Sequence, residues 1–255
     1  MDVVDLRTFY NQPLGQLARR LVGDEIGHGM GSVSGQRIAG IGFATPYLRP
    51  FLGRAERVFA MMPARQGVLH WPPEGPFVSA LVDECALPLP DSSVDLVIAV
   101  HALEMSLSPE EHLSEIRRVL VPGGRLVLVV PNRRGLWARF DNTPFGHGRP
   151  YSRGQVSRLL QDALMTPESS SETLYTPPIG RASVMRSANF FERAGRSFSM
   201  PVGGILVVVA SKQIYQQVEA KKKSRFAVRI APVLVPKPAT RISAAIRTLP
   251  ATRRD

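Results

Sequence analysis

The chain has 255 residues, of which 44% are hydrophobic and 21% charged, so it can bury the core of one α/β domain and is not a disordered protein. The net charge is +11, but residues 212–255 hold eleven Lys and Arg against two acids and therefore carry most of it. This distribution argues against a nucleic-acid-binding face on the domain itself.

The expected compartment follows from cysteine usage and from the N-terminus. Cys85 is the one cysteine, so no internal disulfide can form, and this usage suits a reducing compartment. Asp2 and Asp5 stand where a secretory signal would carry bases, and no apolar run approaches the ~20 residues of a membrane span. We expect a soluble cytoplasmic protein.

The first part of the chain predicts two strands, with helices before and between them. Apolar residues recur at helical spacing over residues 10–22, and a glycine-rich loop is expected over 23–35. The apolar segments 37–42 and 57–61 predict strands, and a short helix is expected near 47–52.

The middle of the chain alternates strands with a helix. Strands are predicted over residues 77–82, 94–100 and 125–130, and the second of these is almost wholly apolar, as a parallel strand covered on both faces should be. The sequence Ser-Pro-Glu-Glu at 108–111 is that of a capping box and predicts a helix start. Pro-Gly at 122–123 predicts a tight turn into the next strand.

The last third predicts a long loop, two further helices and a late strand pair. We expect the loop over 131–151, a helix capped by Ser152, a Ser/Pro/Thr-rich segment at 165–181 with a short strand at 173–175, a helix at 182–194 and a strand at 205–210. Strands that alternate with helices indicate a doubly wound α/β sheet. We place the domain at residues 1–211 and a basic tail at 212–255.

The segment 77–132 carries a family resemblance. Its order is strand, acidic turn, apolar strand, capped helix, Pro-Gly-Gly turn and strand, which closely resembles the second half of a class I S-adenosylmethionine (SAM)-dependent methyltransferase of the type 11 kind. The resemblance implies a Rossmann-like, doubly wound, seven-stranded sheet of order 3-2-1-4-5-7-6, with an antiparallel seventh strand. It also implies SAM as the cofactor.

The first half departs from the family pattern at the cofactor contacts. Family members end their first strand with Asp followed by Gly-x-Gly-x-Gly; here Gly40 replaces the Asp, Gly42 is the first glycine of the motif, and Ala44 and Pro46 replace the others. Met62 stands where the family has an acid for the ribose hydroxyls. Each lost bond to a charged acceptor costs about 1.5–3 kcal/mol, so the resemblance implies a weakened SAM site at these positions.

Two further positions match the family pattern. Asp83 and Glu84 match the turn that holds the adenine, although the same residues would also make an ordinary acidic turn. His101 follows the fourth strand, at the edge where ligands bind in doubly wound folds. Its position implies a catalytic residue beside the methyl group; the alternative is a structural histidine.

The loop after the fifth strand predicts the substrate side. It is long and contains Arg, His and aromatic residues, from which we predict His147, Arg149 and Tyr151 as substrate-binding residues for an anionic or planar ligand. The alternative is that the loop only tethers the next helix. Tyr10, on the N-terminal helix, is predicted to close over the cofactor and substrate, as such helices do in this family.

Other chemistries are disfavoured. The five histidines are scattered without ligand spacing, so no metal site is expected, and the nicotinamide-binding glycine fingerprint is absent. For the tail four hypotheses stay open: a disordered extension, an RNA-binding arm, a contact with an anionic membrane surface, and a peptide that docks on a protein partner.

Two functions therefore compete. The first is an active SAM-dependent methyltransferase that acts on a small or acidic substrate by direct methyl transfer. The second is a pseudo-methyltransferase that binds SAM weakly or not at all and acts through a protein partner. The sequence names neither the substrate nor the partner.

Overall fold

The computed structural model describes residues 1–28, 30–197 and 202–213. Its strands in chain order are β1 (Arg37–Gly42), β2 (Arg57–Pro63), β3 (Ser79–Val82), β4 (Val94–Val100), β5 (Leu120–Pro131), β6 (Met165–Thr173) and β7 (Ile205–Lys212). They form one seven-stranded sheet of order β3-β2-β1-β4-β5-β7-β6, in which β7 is antiparallel to both neighbours. The predicted Rossmann-like doubly wound sheet and its strand order are confirmed.

The helices flank this sheet. In the described ranges they are α1 (Val3–Asn11), α2 (Pro13–His28), α3 (Thr45–Leu48), α4 (Pro109–Val119), α5 (Arg153–Asp162), α6 (Ala182–Arg186) and α7 (Ala188–Ser197). The helix predicted at 10–22 is thus two helices that meet at a sharp corner. A Cβ at Gly15 would overlap the backbone carbonyl of Phe9, so the corner needs glycine there. This corner holds the end of α1 against the body of the domain.

Each face of the sheet carries its own apolar core, because alternate residues of a strand point to opposite faces. On β4, Leu96 and Ile98 belong to the core shared with α1 and α2. Their neighbours Val97 and Ala99 belong to the core shared with α4 and α5. Both faces are covered, which explains why β4 is apolar at nearly every position.

Four local predictions are wrong. The glycine-rich loop predicted over 23–35 begins only after His28, because residues 23–28 belong to α2. The strand predicted at 173–175 is instead β6, which begins at Met165 and forms the sheet edge. Its register shifts between Pro167, which has no backbone N–H to donate, and Ser169. Ser108 precedes α4 but makes no side-chain capping bond. The loop predicted from 131 contains two turns of 3-10 helix, Trp137–Arg139 and Pro144–Gly146. Residues 214–255, most of the predicted tail, lie outside the described residues, so that boundary stays a prediction.

The pairing of β1 with β4 sets the position of the site. At the amino end, the Arg37 guanidinium donates to Asp95 at 2.9 Å, and this contact lowers the pKa of Asp95. At the carboxyl end, Gly42 pairs with Val100 and has a φ of +76°. A Cβ at Gly42 would overlap the Val100 carbonyl oxygen, so the chain can turn here only with glycine.

This geometry predicts that Gly42→Ala destabilises the domain more than a matched change elsewhere. Gly35 also has a positive φ, +70°, but a Cβ there meets nothing within 4 Å. We expect Gly35→Ala to cost roughly 1–2 kcal/mol of unfolding free energy from backbone strain alone, and Gly42→Ala roughly 2–5 kcal/mol because overlap is added. Urea denaturation measures both, and equal losses would contradict the overlap argument.

Candidate functional site

Four polar side chains form one hydrogen-bonded chain at the carboxyl ends of β1 and β4. His101 follows β4, and its Nε2 lies 2.9 Å from the hydroxyl oxygen of Tyr10 on α1. The hydroxyl of Tyr47 on α3 donates to that of Tyr10 at 3.1 Å. On the other side of the imidazole, Nδ1 lies 3.2 Å from Oε1 of Glu104. We call these residues the Tyr–His–Glu chain; it joins α1, α3 and the turn after β4.

The direction of each bond follows from what its partners can donate. When the Glu104 carboxylate is ionised it can only accept, and Nδ1 of His101 then carries the proton that faces it. In a neutral imidazole Nε2 is then an acceptor, and the Tyr10 hydroxyl donates to it. Burial raises the pKa of both Tyr10 and Tyr47, so both phenols stay protonated and can donate. The chain therefore runs from Tyr47 through Tyr10 and His101 to Glu104.

The backbone at His101 is strained. Its φ is +51°, in the left-handed region that residues other than glycine seldom adopt, and its side chain is fully buried. The Gln66 side-chain amide donates to its backbone carbonyl. Strain of this kind persists only where surrounding contacts over-determine it, and it clusters at functional sites.

Aromatic rings surround the Tyr–His–Glu chain. The Tyr10 ring stacks on that of Phe43, with centroids 5.6 Å apart. Phe145 lies 4.7 Å from the His101 ring and packs edge-on against Trp137 at 5.6 Å. Because these rings exclude water, the interactions inside act in a low dielectric and are stronger than at the surface.

Glu104 has an incomplete set of partners. Its Oε1 faces His101, and its backbone carbonyl accepts a bond from the Arg149 amide at 2.8 Å. Its Oε2 is buried, and no hydrogen-bond partner for it exists in the described part of the chain. A buried carboxylate oxygen without a donor is costly, which indicates a place where charge or a proton is held for function.

An open cavity lies farther along the same edge of the sheet. Its volume is about 610 Å³, and it is bounded by the end of β5, the end of β6 and the start of α5. Its charged and amide-bearing lining residues are Glu25, Asn132, Arg134, Arg153, Glu172 and Arg196. We call it the arginine cavity. Two of its arginines are paired, Arg196 with Glu25 at 2.8 Å and Arg153 with Glu172 at 3.4 Å.

Across the described ranges, no cluster of three or more His, Cys, Asp or Glu could hold a metal ion. None of the helices in those ranges combines the length and the apolarity needed to cross a bilayer.

Part of the chain is similar in sequence to a known family. Residues 39–128 match the sequence model of a family described as "Methyltransferase domain". This match and the order of the sheet support a relation to the class I SAM-dependent methyltransferase family. This family and fold imply SAM as the cofactor.

Two curated relatives are similar to part of this chain. A protein of Mycolicibacterium smegmatis named "Probable S-adenosylmethionine-dependent methyltransferase" is 37% identical over 79 residues, which are 30% of each chain. The demethylmenaquinone methyltransferase of Deinococcus radiodurans is 32% identical over 127 residues, 49% of this chain and 52% of the relative. The chain thus spans about half or less of the length of these relatives.

Solved structures share the fold at low identity. One is a complex between the Haloferax volcanii Trm112 methyltransferase activator and a methyltransferase; the TM-score is 0.60 at 17% identity, over 84% of this chain and 99% of that one. A SAM-dependent methyltransferase from Archaeoglobus fulgidus gives a TM-score of 0.54 at 15% identity, over 76% and 94% of the two chains. At these identities the likeness concerns the fold alone.

The predicted glycine-loop and ribose positions are buried in protein packing. Gly40 is covered by Leu48, and Ala44 is fully buried at the start of α3. Met62 is also buried, with its sulfur accepting from the Leu69 amide at 3.3 Å. Gly42 makes the turn that the family motif needs, but no carboxylate stands at Gly40 or Met62 to hold an ammonium group or a ribose.

The adenine turn fits the cofactor better. Asp83 is exposed, and its Oδ1 accepts from the Cys85 amide at 2.9 Å, which holds the turn while leaving its other oxygen outside that bond. The next residues are anchored to α4, because Glu115 accepts from the Leu87 amide at 2.7 Å and Arg118 donates to the Leu87 carbonyl at 3.0 Å. The residues present therefore fit SAM at the adenine end and lack the acids expected at its other end.

The predicted substrate residues fall into different places. Tyr10 joins the Tyr–His–Glu chain, whereas Tyr151 is buried and its hydroxyl makes only a 3.4 Å bond to the Leu103 carbonyl. His147 lies 2.8 Å from the Asp141 carbonyl, and the Arg149 side chain is exposed. The structure therefore brings Tyr10 and His101 together, and it does not bring the other three to them.

Sequence reasoning missed three members of the site. Glu104 stands three residues after His101, and that spacing directly after a strand could have indicated the pair. Tyr47 and Phe145 gave no such signal, because each reaches His101 or Tyr10 only through the tertiary fold.

The Tyr–His–Glu chain predicts that Tyr10→Phe is costly. The change leaves Nε2 of the buried His101 without a donor and the Tyr47 hydroxyl without an acceptor. We expect a loss of about 2–4 kcal/mol of unfolding free energy. Tyr151→Phe is the matched control and should cost under about 1 kcal/mol, since it removes only a long bond. Chemical denaturation measures both, and a neutral Tyr10→Phe would contradict the proposed bonding.

The bond from the Leu87 amide to Glu115 predicts that the stability of the protein depends on pH. Hydrogen bonds from Arg118 lower the pKa of Glu115, so its contribution is present above the ordinary carboxyl range and is lost as pH falls through its folded pKa. Glu115→Gln should therefore reduce stability at pH 7 by about 1 kcal/mol and become neutral at acid pH.

Urea denaturation of both proteins from pH 7 down to about 3, below the ordinary Glu pKa, checks this. Glu74→Gln serves as the control, because Glu74 is exposed in a loop. A deficit of Glu115→Gln that stays constant over this range would show that the charge is not the cause.

Proposed function

We propose that the protein is a SAM-dependent methyltransferase that acts on a small acidic substrate. The observation that carries this proposal is the buried His101–Glu104 pair at the carboxyl edge of a class I methyltransferase sheet. Ligands of doubly wound folds bind at this edge.

The protein's part in the reaction is to orient groups and to take up a proton. When bound, SAM supplies an electrophilic methyl group, and the exposed Asp83 turn would hold its adenine. Gly42, with its positive φ, would let the backbone turn beside the bound SAM. No acid replaces the two missing contacts, so we expect affinity weaker by two to three orders of magnitude than with both acids present, at roughly 1.5–3 kcal/mol for each lost bond.

The Tyr–His–Glu chain offers a route for the acceptor's proton. An acceptor hydroxyl or amine loses one proton as it is methylated. Under this proposal that proton passes to the Tyr10 oxygen while Tyr10 gives its own to Nε2 of His101. The imidazolium that forms lies against Glu104, whose carboxylate neutralises it. No covalent intermediate is involved.

The arginine cavity supports an acidic acceptor. Arg153 and Arg196 are each paired with a glutamate, but Arg134 makes no side-chain ion pair within the described residues. An exposed guanidinium beside the Asn132 amide suits a carboxylate or phosphate on the substrate. The volume of about 610 Å³ is in the range of sites for small molecules.

The pseudo-methyltransferase hypothesis gains no support from the comparisons, although the residues at Gly40, Ala44 and Met62 motivate it. A protein partner stays a separate proposal, supported by the fold likeness to a methyltransferase solved with its activator. The cytoplasmic location expected from the sequence also stays a prediction.

Calorimetry with SAM and with its demethylated product tests the function. We expect saturable heats with dissociation constants between micromolar and millimolar values, and about tenfold weaker binding for Asp83→Asn, which keeps the turn but removes the charge. Asp162→Asn, at the end of α5, is the matched control and should bind like the wild type. No binding at millimolar SAM would overturn the enzyme proposal and favour the pseudo-methyltransferase.

A further inference from the structure

The crossover between β1 and β2 contains unusually little helix. A second cavity lies beside this crossover. Where a parallel crossover commonly carries a helix of three turns, this one has the four residues of α3 and one turn of 3-10 helix, Arg49–Phe51. Pro50 removes a backbone donor at the point where an α-helix would continue. Part of the α2 surface is therefore left open, and the cavity there has a volume of about 840 Å³.

The floor of this cavity is apolar. Ile26 of α2, Val33 of the following loop, Tyr47 and Phe51 line it, and all four are buried side chains of the core. A hydrocarbon group placed on them would remove further apolar surface from water, which is favourable in proportion to the area covered.

The rim of the same cavity is strongly basic. It carries four arginines, Arg19, Arg20, Arg49 and Arg54, against the single acid Asp24. None of the four forms an ion pair with a carboxylate in the described ranges, and only Arg20 has a side-chain partner there, the Asn189 amide oxygen at 3.4 Å. Arg118, in contrast, is paired with Glu115 at 2.7 Å. Like charges gathered around one concavity attract an anion.

We propose that this cavity, the arginine-rimmed pocket, binds a single-chain anionic amphiphile: a carboxylate or phosphate head group at the arginines and a hydrocarbon chain on the apolar floor. The volume lies within the roughly 300–1,000 Å³ of typical small-molecule sites. Guanidinium groups suit such head groups because they donate in a planar fork. The basic segment 212–255 is not the occupant we infer, since it carries the same sign of charge.

The pocket is separate from the arginine cavity and does not depend on the proposed methyl transfer. One residue connects it to the Tyr–His–Glu chain, because Tyr47 lines the pocket and its hydroxyl donates to Tyr10 at 3.1 Å. A ligand bound in the pocket would therefore be linked to His101 by two hydrogen bonds, Tyr47 to Tyr10 and Tyr10 to His101.

Titration of the full chain with dodecyl phosphate, below its critical micelle concentration, tests the proposal by calorimetry. We expect saturable one-to-one binding that laurate reproduces and added salt weakens. Dodecyltrimethylammonium should not bind, and inorganic phosphate should bind at least tenfold more weakly because it leaves the floor uncovered. Equal binding of the anionic and cationic amphiphiles would overturn the proposal.

Two variants locate the site. Arg19→Gln with Arg49→Gln should weaken binding of dodecyl phosphate roughly ten- to hundredfold, whereas Arg158→Gln on the opposite face of the sheet should not change it. Gly23→Leu fills the pocket: a Cβ there meets only the Tyr47 ring, at an ordinary 3.9 Å. It should abolish binding without unfolding the domain, because leucine favours the helix more than glycine does.

A thermal melt of each variant separates loss of binding from loss of fold. Retained binding in Gly23→Leu, with a melting temperature at or above that of wild type, would place the ligand elsewhere and overturn the proposal.

A last experiment distinguishes a free amphiphile from a membrane lipid as the ligand of the pocket. Sedimentation with phosphatidylglycerol vesicles measures whether the protein binds an anionic head group that is part of a lipid bilayer. Binding of monomeric dodecyl phosphate without vesicle binding supports a free amphiphile, and binding of both supports a lipid that is drawn from the bilayer. Vesicle binding alone would indicate a surface contact and would overturn the pocket proposal.

Discussion

The imidazole of His101 is the group on which the arrangement of the candidate site depends. It is fully buried, and its backbone is held at a positive φ where β4 ends. A buried polar ring must have both nitrogens satisfied or the fold loses several kcal/mol, on the order of 1–3 for each unpaired group. The two partners come from distant parts of the chain, Tyr10 on α1 and Glu104 on the turn after β4. Satisfying one ring therefore determines where α1 lies and closes the edge of the sheet.

Closure of this edge of the sheet places packed side chains where the family has charged groups that contact the cofactor. Phe43 follows the Gly42 turn, and its ring stacks on that of Tyr10, so the loop after β1 is covered by α1. Met62 packs into the core at the position where the family has an acid. Packing replaces charge at one end of the expected cofactor, while the exposed Asp83 turn keeps a polar contact at the other. Under the proposed function, protein interactions hold the site together and cofactor affinity is modest.

The two cavities have different physical origins. The arginine cavity lies where β5, β6 and α5 meet at the carboxyl edge, and its charges are largely neutralised in pairs. The arginine-rimmed pocket results from a crossover helix that is too short to cover α2, and its charges are not balanced by nearby acids in the described residues. An edge cavity with paired charges suits a specific polar substrate. An apolar floor with unbalanced arginines suits an amphiphile, and Tyr47 connects this pocket to the Tyr–His–Glu chain.

The amino-acid sequence by itself predicted most of the strands, because apolar runs and turn residues are local signals that survive without tertiary contacts. The strand order was implied by the family resemblance of residues 77–132. The sequence also pointed to Tyr10, His101 and the Asp83 turn. It placed β6 wrongly, since the polar segment at 165–181 has little strand character until β7 pairs with it. Only the tertiary structure joined Tyr10, Tyr47, His101 and Glu104, and showed Tyr151 to be a packing residue. Hydrogen bonds between residues up to 91 positions apart leave no periodic trace in a sequence, because they depend on where the folded elements lie in space.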